Sequence, residues 1–473
     1  MTAGVAHVLV RPLCYAAALS VAKGVSLLMV PAVTSVLPPA DYASIETLAS
    51  VADIGGVLLG LGLADALFRF AGAGGEDGRR VEADVLGLAL ACAGLFLVVG
   101  QAAAPLLAAA MPAGIGEWPV RLLLVSLALT ATIEAPFAWL RMVDRAGLFL
   151  MFVAGRAVVQ AGLVLVALHQ GWGVPGVIGA TAASDVALSI ALVATLAGRM
   201  GIRLSPQAAV RLLRYGVPLT IGGVAAFALG SCDRWFLAGR AQELAHYALA
   251  GKFALATALL LQPFDLWWYP RRLAVLAGPD GVARTARTVG VGLSLVVLSA
   301  SVAALGGPFA IVWLTPAAYH GAVAYVPWLA LAAALHAVAS LVNAGCYLGR
   351  TGVRPMAVNG AAAVLALAGY VLFIPGWGVA GAIAATLFAQ TARIGLFLHL
   401  GQRAAFVPYP LWRAGLLATL AAGLVGTVRG LGTGPAGMAA AGAVLLVLLL
   451  TAYALRLLPV GALSVRPAAA VTR

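Results

Sequence analysis

GWGVPGVIGATAAS occupies residues 171–184, and GWGVAGAIAATLFA occupies residues 376–389. Eight of the fourteen aligned positions are identical, among them Gly171/Gly376, Trp172/Trp377, Gly173/Gly378 and Thr181/Thr386. The same offset of 205 residues pairs Arg145/Arg350, Gly147/Gly352, Met151/Met356 and Gly155/Gly360. It also places Tyr42-Ala43 over Tyr247-Ala248. Three blocks in one register imply two homologous halves, 1–205 and 206–405, with 406–473 outside the repeat. A repeat of this length dictates architecture before any single residue does.

The surrounding chain says what kind of architecture. Of its 473 residues, 63% are hydrophobic and 10% charged, with a mean hydropathy of +1.03. Soluble domains carry about 25% charged residues, so this composition excludes one. Apolar runs of about 20 residues, enough for one helix to cross a bilayer, recur along the whole length. They predict about fourteen membrane helices, from 14–37 to 434–457. The fold class expected is all-α and integral to the membrane, with two six-helix repeats and two extra C-terminal helices. No polar loop is long enough to hold a soluble catalytic domain.

The net charge of +13 has two candidate causes, nucleic acid or membrane topology. With the N-terminus placed inside, 22 of the 29 Lys and Arg fall on the inner side and three, Arg121, Arg240 and Arg429, outside. That is the positive-inside pattern. No basic-aromatic patch points to nucleic acid. The bias orients the chain with both termini cytoplasmic. An even number of helices separates Arg145 from Arg350, so the two halves point the same way through the membrane. Parallel repeats of this kind are a transporter plan, with the substrate site between halves and alternating access as the motion.

The opening motif itself reads as packing. Gly171 and Gly376 begin a turn on the outer face, Trp172 and Trp377 sit at headgroup level, and small residues four apart let helices approach closely. The chemistry must come from elsewhere. Ionisable side chains inside membrane helices are costly and are functional candidates by default. The cations are Lys23, Arg156, Arg234 and Lys252, and they form the expected substrate-binding set. Glu46, Asp53 and Asp233 are the candidates for coupling to an ion. Arg156 and Glu134 fall at similar depth on adjacent helices, which suits a neutralised structural pair as well as a site. Glu46 and Asp53 are seven apart and share one stripe of their helix. Lys23 and Lys252 stand on the leading helices of the two halves, where a cation holds a phosphate through a charge-assisted contact.

Other chemistry is missing from the sequence. There is no Walker A motif, no GxSxG or HExxH and no metal-ligand spacing among the six His. The four cysteines are scattered within apolar runs and show no disulfide framework. No cofactor, metal or catalytic residue is expected, and no enzyme activity.

Several stretches then resemble a known family. KGVSLLMVPAVTSVLPPADYASIETL (23–48), GLGLADALFRF (60–70), LLRYGVPLTIGGVAAFALGSCDRWFLAGRAQELAHYALAGKF (212–253), CYLGRTGVRPMAVNG (346–360) and GWGVAGAIAATLFAQ (376–390) resemble, in order, segments of the polysaccharide/oligosaccharide flippases. These belong to the multidrug/oligosaccharidyl-lipid/polysaccharide exporter superfamily. The resemblance implies a V-shaped pair of six-helix bundles around a central cavity. It implies a lipid-diphosphate-linked oligosaccharide as substrate, flipped across the bacterial cytoplasmic membrane for surface polysaccharide synthesis. Membrane lipids and the enzymes of polysaccharide biosynthesis are the partners it implies. Lys23 and Lys252 match by helix and position the cations that meet the anionic headgroup. Thr34 and Ser35 stand where relatives often carry a basic residue, and Ala43 replaces the usual Gly after the outer turn. A lipid II flippase is an option within the same class. A multidrug cation antiporter of the same superfamily is the alternative, and would want a carboxylate-rich, aromatic cavity. A membrane-embedded polysaccharide polymerase or ligase would need a large outer loop, which this chain lacks.

Overall fold

In hydrocarbon each backbone N–H and C=O must be satisfied within its own segment or a closed barrel. Long runs of Ala, Leu and Val meet that demand as helices. The computed structural model describes residues 2–72, 75–111, 115–348 and 353–458, and no strand occurs among them. The Arg350 and Gly352 members of the repeat, like Arg466 and Arg473, lie outside the described residues.

The helices are α1 (Thr2–Val36), α2 (Pro39–Leu59), α3 (Leu63–Ala71), α4 (Gly75–Ala109), α5 (Glu117–Ala128), α6 (Thr130–Met142), α7 (Ala146–His169), α8 (Gly173–Met200) and α9 (Pro206–Gly230). They continue as α10 (Asp233–Leu237), α11 (Ala241–Ala254), α12 (Ala256–Trp268), α13 (Arg272–Ala277), α14 (Gly281–Leu314) and α15 (Val326–Val342). The last three are α16 (Val353–Ala404), α17 (Leu411–Gly430) and α18 (Pro435–Ala454).

Eleven of these segments are long and apolar enough to cross a membrane, or twelve if Ala317–Ala324 and Val326–Val342 count as one bent span. The sequence leads one to expect about fourteen. One feature lowers the number: Val353–Ala404 forms one helix, α16, that turns at Gly378, where φ is 55° and ψ −130°, so two expected spans count as one.

The expected second helix, 42–68, is interrupted. Leu61 and Gly62 take φ of 53° and 62°, separating α2 from α3. Gly216 of α9 crosses at this break. A Cβ built on Gly62 would stand 2.7 Å from the Gly216 Cα, so a larger residue at either position would push the backbones apart.

The helices group into two compact units. The first holds Met1–Lys252, Ile311–Tyr325 and Met356–Ala392. These boundaries do not follow the repeat. In this unit α7 packs on α1 and α8, and α5 on α4 and α8. One of its cores joins Leu63, Leu67, Leu86, Leu140, Leu192 and Leu212, all buried. Between membrane helices such contacts act by close packing, since lipid tails are as apolar as Leu.

The second unit holds Phe253–Ala310, Val326–Pro355 and Arg393–Arg473. Here α12 packs on α15, and α17 on α18. Arg272, buried at 3% exposure, lies between the rings of Tyr269 and Tyr347, 3.8 and 4.7 Å from their centres. Its Nη1 donates to Asn343 Oδ1 at 2.8 Å. Cation–π contacts and an amide thus hold a buried cation where no carboxylate pairs with it among the described residues.

Candidate functional site

Two groups of charged side chains form inside the first unit. The first is built on Glu46 of α2, whose side chain is 2% exposed. Each carboxylate oxygen meets a cation. Lys252 Nζ lies 2.7 Å from Oε1, and Arg234 Nη1 lies 3.0 Å from Oε2. The Lys252 ammonium also stands 5.8 Å from the centre of the Tyr42 ring. Next to it, Asp233 accepts from the Tyr247 hydroxyl through Oδ2 and from the Arg234 backbone N–H through Oδ1 at 2.9 Å.

The cluster is laced further along the same helix. Ser231 Oγ donates to Asp53 Oδ2 at 3.0 Å, and Ser50 Oγ donates to the Ser231 carbonyl at 2.9 Å. At the other end, the Tyr319 hydroxyl donates to the Leu37 carbonyl at 2.7 Å, and its ring meets Tyr42 edge-on at 5.7 Å. Glu46 and Asp233 bring two negative charges, and Arg234 and Lys252 bring two positive ones. Burying a carboxylate costs several kcal/mol unless its oxygens find partners. Here these four charges balance and each has a partner, while Asp53 is held by Ser231.

The second group lies on α7 and α8. Arg156 Nε and Nη2 each approach Asp185 Oδ1 at 2.7 Å. Asp185 is 9% exposed at its side chain, whereas Arg156 keeps 36%. One turn along α7, Gln160 Nε2 donates to Thr181 Oγ1 at 2.9 Å. Arg156 and Gln160 face a cavity of about 300 Å³, with Ala22 and Ser26 of α1, Phe137 of α6, and Val153 and Ala157 also lining it. Lys23 follows Ala22 on α1. It is exposed and makes no ion pair among the described residues. This region therefore offers a guanidinium, an amide and a hydroxyl to a concave space, and Lys23 is not among the residues that line it.

The four expected cations are thus sorted. Arg234 and Lys252 are held on Glu46. Arg156 lines an open cavity, and Lys23, next in sequence to the lining Ala22, does not line it. One expected pairing is corrected: Arg156 meets Asp185, not Glu134, whose carboxylate lies beside Gly60. α7 and α8 form a hairpin about Gly171, which stands midway between Arg156 and Asp185, so the two reach the same depth. That symmetry is present in the sequence. The contributions of Tyr247, Ser231 and Tyr319 are not, since each depends on a contact between distant segments. Among the described residues no three of His, Cys, Asp or Glu gather as a metal site.

The repeated turn is also adjusted by the structure. The shared strained position is Gly173/Gly378, at φ of 56° and 55°, while Gly376 is not in the left-handed region. Trp172 and Trp377 are 60% and 64% exposed, as interfacial side chains would be. In the second copy, Arg240 Nη2 donates to the Pro375 carbonyl at 2.8 Å, and Glu243 Oε2 accepts from the Val379 N–H at 3.3 Å.

No protein-family model and no curated protein matches the sequence. Solved structures do resemble the fold. The lipid II flippase MurJ in an inward closed conformation superposes with a TM-score of 0.71 at 10% identity, covering 95% of this chain and 97% of that one. An outward-facing MATE multidrug transporter of the MOP superfamily gives 0.55 at 14% identity, covering 83% and 94%. A MOP-superfamily transporter from Pyrococcus furiosus with a binding pocket of reverse polarity gives 0.52 at 15% identity, covering 82% and 94%. This chain is a multi-pass helical membrane protein with the fold shared by lipid II flippase and the MATE transporters of the MOP superfamily.

Proposed function

We propose that this chain is a transporter that flips a lipid-diphosphate-linked oligosaccharide across the bacterial cytoplasmic membrane by alternating access. Its halves are 1–205 and 206–405, set parallel, with 406–473 outside them and both termini cytoplasmic. The observation that carries the reading is the cavity at Arg156. It presents a cation, an amide and a hydroxyl, a set suited to a phosphate and its sugar. A cation exporter would want carboxylates facing its cavity. Here the buried carboxylates Glu46 and Asp185 are already spent on cations.

In this reading Arg156 meets the diphosphate in the cavity, with Lys23 as a second cation carried by α1. Glu46 is the coupling carboxylate. Protonating it releases Lys252 and Arg234 to the substrate, and loss of the proton restores the closed cluster. Asp53 and Asp233 position the segment that carries these cations. No step requires bond chemistry, so the protein acts as a transporter and not as an enzyme.

The test is a cargo assay. The full chain is reconstituted in vesicles with a fluorescent lipid-diphosphate oligosaccharide in one leaflet, and its appearance in the other is followed. A cationic dye is followed in parallel vesicles. Movement of the sugar lipid without dye export is expected. Dye export with the sugar lipid left in place would overturn the reading.

A further inference from the structure

A second concave surface lies at the N-terminal end of α9. Gln207, Val210, Arg211, Arg214 and Tyr215 line a space of about 420 Å³. Gln207, Arg211 and Arg214 follow at helical spacing and so share one face. Both arginines are exposed, and neither makes an ion pair among the described residues. Nearby Arg203, by contrast, lies 3.5 Å from the buried carboxylate of Asp84. Arg211 is nevertheless steadied. Its guanidinium stands 5.2 Å from the centre of the Phe70 ring, and Phe70 packs edge-on against Tyr215 at 5.3 Å. Ser205 caps this helix end by accepting from the Ala208 N–H at 3.4 Å. The helix dipole there adds partial positive charge.

The rest of the same face is apolar. Val210, Val217, Ile221 and Val224 continue at spacings of seven, four and three, and are 66%, 45%, 68% and 37% exposed. From Gln207 to Val224 the helix rises about 25 Å. The face thus carries a cationic head and an apolar track in line, complementary to an amphiphile with an anionic head and a long chain.

We propose that this groove is a loading site for the diphosphate of a long-chain lipid, the carrier end of the substrate, before it reaches the cavity at Arg156. The inference rests on the flippase reading above. Arg211 and Arg214 grip the phosphates, Gln207 adds an amide donor, and the chain lies along Val210 to Val224. Paired arginines suit this task because each guanidinium presents a planar fork to phosphate oxygens. Two arginines retained by topology alone would show no preference for one anionic lipid over another.

The full chain in detergent is titrated with a polyisoprenyl diphosphate, with phosphatidylglycerol and with inorganic diphosphate. The Arg211→Gln/Arg214→Gln variant is expected to bind the isoprenyl diphosphate at least about tenfold more weakly. Arg211→Lys/Arg214→Lys should recover part of the loss. In the vesicle assay the Gln variant should raise KM and leave kcat near that of the unaltered protein. Equal binding of phosphatidylglycerol, or equal binding of inorganic diphosphate, would overturn the proposal, as would unchanged affinity in a normally inserted Gln variant. An unaltered chain that binds the isoprenyl diphosphate through these arginines yet moves no sugar lipid would leave the groove standing and remove the flippase reading.

Discussion

The charge cluster on Glu46 and the cavity at Arg156 start from the same material. Each sets intramembrane cations against a buried carboxylate. On Glu46 the two cations saturate both oxygens, and the carboxylate is 2% exposed. On Asp185 a single arginine approaches one oxygen and keeps a third of its side chain accessible. The first arrangement uses up its charge in holding distant segments together. The second orients a cation and leaves it facing open space. In this conformation burial and partner count, more than residue type, separate a held cation from an accessible one.

The comparison is broken most severely at Glu46. Glu46→Ala leaves the partly buried Arg234 and Lys252, 21% and 30% exposed, without their anion, and removing one partner of a buried pair costs up to about 3–5 kcal/mol. Thermal unfolding of the purified variant checks this, and a drop of under about 1 kcal/mol would show that water reaches the cluster. Asp185→Ala should cost less, about 1–3 kcal/mol, because Arg156 can turn toward its cavity. The same unfolding measurement ranks the two. Double-mutant cycles sharpen the contrast further. The Glu46–Lys252 coupling should exceed the Arg156–Asp185 coupling by about 1 kcal/mol, within the range found for contacting pairs. Lys23→Ala should change stability by no more than about 0.5 kcal/mol, as an exposed side chain without a partner does. A larger loss would mean that Lys23 fastens helices and does not wait for substrate.

Much of the architecture is legible in the sequence because the membrane imposes it. Apolar length, which gives the all-helical membrane-spanning class, follows from a constraint acting along the chain. So does the stripe shared by Glu46 and Asp53: both turn toward the same distant segment, one to Arg234 and the other to Ser231. The partners themselves are not legible. Arg234 and Lys252 reach Glu46 across nearly the whole first half, and no local spacing encodes that contact. The break at Leu61–Gly62 is hidden because its cause is the close passage of Gly216, far along the chain. The repeat alone points to Gly171/Gly376 as the start of the turn, whereas the equivalent strained pair is Gly173/Gly378. Identity between copies marks a shared turn without saying which of its glycines carries the positive φ. Asp185 is within reach of sequence reasoning, since hairpin geometry sets it at the depth of Arg156.

The most direct test of the central claim is the initial rate at which a lipid-diphosphate oligosaccharide crosses vesicles carrying the Lys23→Ala chain. The variant must first insert and unfold as the unaltered protein does. The account predicts a fall of at least about tenfold from loss of a charge-assisted contact. A rate equal to that of the unaltered chain would contradict it, and Lys23 would then have no part in holding the substrate.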